Sequence, residues 1–343
     1  MIARTPGSLS KRASLALLIF ALAASSFATP PRPPANPRAR KNSAPQVAPR
    51  LPQYQALPLE RSAQNKLLLR TFINGKPALM EVDTGAPISA IAISRLGYFG
   101  LTPVAANSEL PVRVDINGAL SRVTLAQSFQ IGVLTLVDEP LVALDLAQIS
   151  DASRLADEQE IDGILGADVL FPTQAVLDCR AQTLTMKIDP RVPGAVPGRD
   201  YRGFSSVPIQ VSAGNNLYVD GTFNGRRAKL MVDTGAFTTL FHQRFVRRMK
   251  IPMRLNRAMT AGGVNLRRRR LQLATISRFS VGSVDLRSTE VGVTDLAGLV
   301  GTELFNTSTP VAGLLGSEIL RRHSGIIDFG TRTLYLKRTR DGS

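Results

Sequence analysis

One offset organises this chain. Val82-Asp83-Thr84-Gly85-Ala86 recurs as Val232-Asp233-Thr234-Gly235-Ala236, 150 residues further on. The same spacing aligns Asn74-Gly75 with Asn224-Gly225, Ile131-Gly132 with Val281-Gly282, and Ile164-Leu165-Gly166 with Leu314-Leu315-Gly316. It also aligns Leu177-Asp178 with Ile327-Asp328, and Leu184-Thr185-Met186-Lys187 with Leu334-Tyr335-Leu336-Lys337. A single Asp-Thr-Gly is ordinary turn composition. A series of landmarks sharing one ungapped offset is an internal duplication, and so long a period specifies two homologous lobes rather than a solenoid. At 343 residues and 44% apolar content, each lobe has enough chain for a core of its own.

Each copy reads as short strands punctuated by turns. In the first, 66–73 leads through an Asn-Gly turn to 78–82 and the Asp loop, and 112–116, 123–127, 134–136 and 184–188 carry further strand patterns. In the second, 217–223, Asn224-Gly225 and 228–232 repeat the opening hairpin. Short helices are expected at 167–171, 317–321 and 243–249, and the Pro- and Gly-rich stretch 189–204 forms the joint. The expected organisation is a leader at 1–28, a Pro-rich basic linker at 29–60, a first lobe at 61–190 and a second at 205–343.

A hairpin, an apolar strand ending in Asp-Thr-Gly-Ala, a later apolar-apolar-Gly segment before a short helix, and a closing strand together resemble a lobe of the retropepsin-like aspartic protease family. The likeness covers roughly 66–188 and 215–338. It implies a mostly β fold of two retropepsin-like β-barrel lobes meeting as an intramolecular pseudo-dimer. It also implies aspartic endopeptidase activity on a polypeptide substrate, with Asp83 and Asp233 as the catalytic pair. Thr84 and Thr234 would hydrogen-bond across the interface, and Gly85 and Gly235 would permit the tight loops. Ala86, Ala236, Gly262 and Gly263 would contact substrate. The family's flap, a Gly-rich hairpin over the substrate, matches Ala261-Gly262-Gly263. The aligned Pro111-Val112-Arg113 has no glycine before Gly118, so one working flap is expected. No cofactor or metal is implied.

The chemistry accounts for the residue types. Hydrolysing an amide without metal or covalent intermediate needs a water made nucleophilic and a proton for the leaving nitrogen, and two close carboxylates supply both. Like charges a few ångströms apart do not both ionise cheaply, so such a pair shares one proton. The ionised member acts as base and the protonated one as acid.

Other classes fit less well. Cys179 is the only cysteine, which excludes an intrachain disulfide and thiolate metal clusters. His242 and His323 are the only histidines and each reads as a surface or satisfied residue, so a Ser-His-Asp enzyme has little to draw on. Arg4, Lys11 and Arg12, the apolar run 13–24 and Ser26-Phe27-Ala28 form a secretory-signal pattern, so a periplasmic or secreted location is expected, membrane-anchored if the leader is retained. Residues 29–60 hold nine of the 22 prolines, a composition for an extended spacer or a pro-segment. The net charge of +16, densest at Arg267 to Arg270 with Arg247, Arg248 and Lys250 in the same lobe, suits contact with anionic envelope polymers. Nucleic acid is not an expected partner, because no recognisable module accompanies the charge. A monomer with two lobes is expected. The alternatives to catalysis are a peptide-binding or envelope scaffold retaining the fold, and a polyanion-binding protein.

Overall fold

The computed structural model describes residues 53–105, 108–116, 119–147, 159–189, 200–263, 266–296 and 310–338, with backbone alone at 119 and over 256–263 and 266–270. The expected leader and residues 29–52 of the Pro-rich segment lie outside these residues.

Both lobes begin at their Asn-Gly turns. Asn74 and Gly75 take φ of 49° and 74°, and Asn224 and Gly225 take 48° and 86°. Positive φ at both turn positions folds Leu67–Ile73 back on Lys76–Val82, and Leu217–Phe223 on Arg226–Val232, with the twist that paired strands need. From these hairpins each lobe closes into a six-stranded barrel. The first runs Leu67–Ile73, Lys76–Val82, Gly163–Leu165, Ala90–Ala92, Leu134–Leu144, Ala119–Ile131, and closes where Phe72 and Ile73 pair with Gln130 and Phe129. The second runs Leu217–Phe223, Arg226–Val232, Val311–Leu315, Leu240–His242, Val284–Thr294, Leu266–Val281, and closes where Gly221 to Phe223 pair with Phe279 to Val281.

One strand in each barrel supports the Asp loop directly. Gly163–Leu165 lies parallel to Lys76–Val82 on one side and antiparallel to Ala90–Ala92 on the other. It therefore fills the space between the strand entering the Asp83 loop and the strand leaving it. Val311–Leu315 does the same beside Asp233. Closure removes most sheet edges, and one continuous core of buried side chains runs from Leu57 through both barrels to Leu336. The lobes fill their centres differently: Phe223, Phe241 and Phe279 meet in the second, where Ile73, Ile91 and Phe129 stand in the first.

A third sheet joins the lobes in the order Tyr54–Pro58, Thr183–Lys187, Val176–Asp178, Ile326–Asp328, Thr333–Lys337, Phe204–Pro208. At its centre Leu177 faces Ile327, its own equivalent in the other copy. This is self-complementary two-fold pairing within one chain. Cys179 is buried at the end of the central strand, where burial pushes its thiol up to about 12.

Two expectations need correction. Residues 54–58, expected in the linker, form an edge strand paired with Thr183–Lys187. Proline is tolerated at a sheet edge, and Pro58 and Pro208 end the two outer strands of this sheet at matching positions. The second correction concerns the flap. Both lobes have the hairpin: Arg113–Ile116 pairs with the start of Ala119–Ile131, and Arg254–Gly263 with Leu266–Val281. The ungapped comparison missed the first because the return strands differ in length, 13 residues against 16, so the two tips fall out of the common offset and regain it at Gly132 and Gly282. The tips themselves, 117–118 and 264–265, lie outside the described residues. The expected helices form at Ala167–Leu170, Gln243–Arg248 and Ser317–Arg322.

Candidate active site

Asp83 and Asp233 each follow the last residue of a buried strand, Val82 and Val232. The Asp83 N–H donates to Leu165 O at 3.0 Å and the Asp233 N–H to Leu315 O at 3.1 Å, so the parallel strands Gly163–Leu165 and Val311–Leu315 hold both aspartates at their base. The loops then meet across the lobe interface through their threonines. Thr84 N–H donates to Thr234 Oγ1 at 3.0 Å, and Thr234 N–H to Thr84 Oγ1 at 3.1 Å. Each hydroxyl in turn donates to the strand end of the opposite lobe, Thr84 Oγ1 to Val232 O at 2.9 Å and Thr234 Oγ1 to Val82 O at 2.8 Å. Both threonines are 1% exposed, so all four bonds are shielded from water.

The glycines bring the carboxylates together. A Cβ on Gly85 would lie 2.6 Å from Asp233 Cγ, and one on Gly235 would lie 2.5 Å from Asp83 Oδ2. Each carboxylate thus rests where the other lobe's glycine has no side chain. Gly85→Ala or Gly235→Ala should therefore force a carboxylate aside and lower peptide turnover by at least about 100-fold, since displacement of a reacting group by about 1 Å costs that much. Turnover by purified variants, with circular dichroism to show retained folding, tests this.

The pair is not symmetric. Asp83 Oδ1 accepts two backbone N–H groups, from Gly85 at 2.8 Å and from Gly235 at 3.1 Å. Asp233 Oδ1 accepts one, from Ala236 at 2.9 Å. Asp233 is 8% exposed while Asp83 is half-buried. Burial foremost, and then the neighbouring Asp83 charge, push the Asp233 carboxyl well above the ordinary carboxylate range. Of the two, Asp233 is the carboxyl placed to hold a proton.

A supporting ring of residues was not anticipated. Ser89 Oγ accepts from Gly166 N–H at 3.0 Å and donates to Asp168 Oδ1 at 2.7 Å, while Ser89 N–H donates to Asp168 Oδ2 at 2.8 Å. In the second lobe Thr239 Oγ1 accepts from Gly316 N–H at 3.0 Å, and Thr239 N–H donates to Glu318 Oε1 at 2.7 Å. These groups tie the strand leaving each Asp loop to the helix after the parallel strand. The 150-residue offset carries them too, as hydroxyl on hydroxyl and acid on acid, and that was the available signal.

Of the other expected site residues, Ala86 and Ala236 follow the glycines. Ala86 packs with Ile88, and with Val114 and Ile116 of the first hairpin, against Ala90, Val142 and Ile164. That hairpin therefore reaches the residues just beyond Asp83. Ala236 packs beside Tyr218, Met231 and Leu314. Gly262 and Gly263 end the outgoing strand of the second hairpin. Arg247, Arg248 and Lys250 are exposed, and the side chains of Arg267 to Arg270 lie outside the described ones. His242, 1% exposed, accepts from Arg244 N–H at the start of a helix with Asp295 beside its ring, and His323 contacts Lys337 O at 2.9 Å. Among the described residues no group of three or more His, Cys, Asp or Glu is placed to hold a metal ion.

No curated protein matches this chain. Among solved structures it is similar to basic 7S globulin from soybean, at 8% identity and a TM-score of 0.42, covering 84% of this chain and 95% of that one. The sequence matches the aspartyl protease family twice, over residues 70–169 and again over 219–319, one match within each barrel. The chain belongs to the aspartyl protease family, with one family domain in each lobe.

Proposed function

We propose that the protein is an exported aspartic endopeptidase in which Asp83 and Asp233, one from each lobe, hydrolyse peptide bonds with an activated water. The observation that supports this best is the mutual seating of the carboxylates, each against the opposite lobe's glycine. Two intact loops joined by four buried hydrogen bonds hold that geometry.

In this reading the charged Asp83 takes a proton from the water as it attacks the scissile carbonyl, and Asp233 donates its proton to the carbonyl oxygen. Asp83 then returns a proton to the leaving nitrogen as the tetrahedral intermediate collapses, and Asp233 recovers its proton from one of the two hydroxyls of that intermediate. Burial of Asp233 favours the neutral acid before attack. The two N–H groups on Asp83 Oδ1 fix the orientation of the base. Secretion rests on the N-terminal leader pattern, and the excess of basic residues suits an envelope rich in anionic polymers.

The test is cleavage of a denatured protein and of a peptide library by the purified protein, from acidic to neutral pH. Peptide products formed by water attack, with ¹⁸O from labelled water in one carboxyl, are the expected result. Binding of peptides without cleavage at any pH would leave a scaffold that keeps the fold and would overturn this proposal.

A further inference from the structure

The dyad stands on unequal ground, and the inequality is a buried ion pair. Lys66 Nζ donates to both oxygens of Glu81, at 2.7 and 2.6 Å, with the two side chains 10% and 1% exposed. Glu81 lies two residues before Asp83, on the strand that leads into its loop. The offset places Asn216 and Met231 at the matching positions of the second lobe, and Met231 there packs into an apolar cluster with Tyr218 and Leu314. A fold that tolerates methionine at this point has no structural need for a charge, and a buried pair of this kind contributes little net stability compared with apolar packing.

The charges around Glu81 are few. Leu68 and Ile164 stand beside it on the two flanking strands, and both are apolar. The charged groups close to it are Lys66, Asp83 and, from the other lobe, Asp233. The nearby carboxylate of Asp162 is already engaged by Arg95 and by Leu79 N–H. Burial pushes the Glu81 carboxyl up and the Asp83 charge adds to this; the Lys66 charge and hydrogen bonds offset part of it, and the carboxyl stays above its ordinary value. The influence is mutual, since Glu81 is one of the charges that raise Asp233.

We propose that Lys66 and Glu81 are positioning residues of the dyad: the lysine holds a third carboxylate charged beside Asp83, so the two aspartates keep their shared proton to higher pH than two identical lobes would. The inference rests on the proposed endopeptidase activity and concerns the regulation of that site. Its consequence is a pH window displaced toward neutrality, set from beneath the cleft by residues that never touch substrate. The sign follows from which member of the pair acts on the dyad: Glu81 is the one two residues from Asp83 and the one whose charge raises Asp233, and a negative charge near a singly protonated pair opposes loss of that proton. Taking the charge away lets the proton leave at lower pH.

The decisive variant is Lys66→Asn with Glu81→Met, which gives the first lobe the residues of the second. The alkaline limb of its kcat/KM profile should move toward acid by about one pH unit, the scale of a like charge within one buried cluster. Glu81→Gln, which leaves the lysine charge, should move it at least as far and carries the test if the double variant does not fold. The exposed pair Arg70–Glu60, exchanged as Arg70→Asn with Glu60→Met, should leave the profile in place. An unmoved limb with a lowered melting temperature would make the pair purely structural and overturn the inference. If the wild-type protein cleaves no peptide, the endopeptidase reading fails separately. The inference is then judged by ¹³C NMR titration of labelled aspartate carboxyls, assigned with Asp83→Asn and Asp233→Asn. The upper step of the dyad moves toward acid in the double variant if the inference holds, and stays in place if it does not.

Discussion

Asp83→Asn and Asp233→Asn should each lower kcat by on the order of 10⁴-fold or more, and the double variant should be little worse than either single one, because the two groups act as a unit. An asparagine can neither take a proton from water nor give one to the carbonyl oxygen, so loss of either function stops the same step. The two variants should separate in stability. The Asp233 carboxyl is raised in the folded protein, so its contribution is fully present below the unfolded carboxylate value of about 3.9 and is lost as pH rises toward the folded value. Asp233→Asn never has to ionise in a buried site. Its melting temperature relative to wild type should therefore climb from acidic to neutral pH. A flat difference across that range would show that burial does not strain this carboxyl. Cleavage surviving both single substitutions would remove the dyad from the mechanism.

The threonines should give the largest stability effects. Thr84→Val or Thr234→Val keeps the shape but deletes a hydroxyl that donates to one buried group and accepts from another. The opposite valine carbonyl and the opposite threonine N–H are then left without partners. Each orphaned group costs about 1–3 kcal/mol, so a loss of roughly 3 kcal/mol and a melting temperature about 5–10 °C lower are expected. Thr→Ser at the same positions retains both bonds and should recover most of the loss. Denaturant unfolding of the four variants measures this. A valine variant as stable as wild type would mean that the interlobe sheet alone holds the lobes in register. Turnover should fall with stability in the valine variants, because these bonds also set how the two carboxylates face each other.

The lobes and the aspartates were legible because their signals are local and repeated: Asn-Gly turns, apolar strands of fixed length, and one tripeptide at one offset. The strand Tyr54–Pro58 was not legible. Proline marks most of its neighbourhood as extended spacer, and only pairing to a strand far along the chain makes this stretch part of a sheet. The first hairpin was hidden because hairpin arms change length without disturbing a barrel, whereas strands inside the barrel must keep their register. The Ser89–Asp168 and Thr239–Glu318 contacts join residues nearly 80 positions apart. Lys66 and Glu81 stand 15 residues apart, and nothing local in the sequence signals that they meet. Their burial is decided by Leu68, Ile164 and the meeting of the lobes.

The central pairing of Leu177 with Ile327 inside one chain bears on how such a site can change over time. In an assembly of two identical chains any substitution arrives twice, and a glutamate beside one aspartate would bring a second beside the other. Joining the halves covalently removes that constraint and also makes assembly of the dyad independent of dilution, since the partner is always at high effective concentration. Specific activity should stay constant as the protein is diluted, and each half is free to carry charges that its twin lacks.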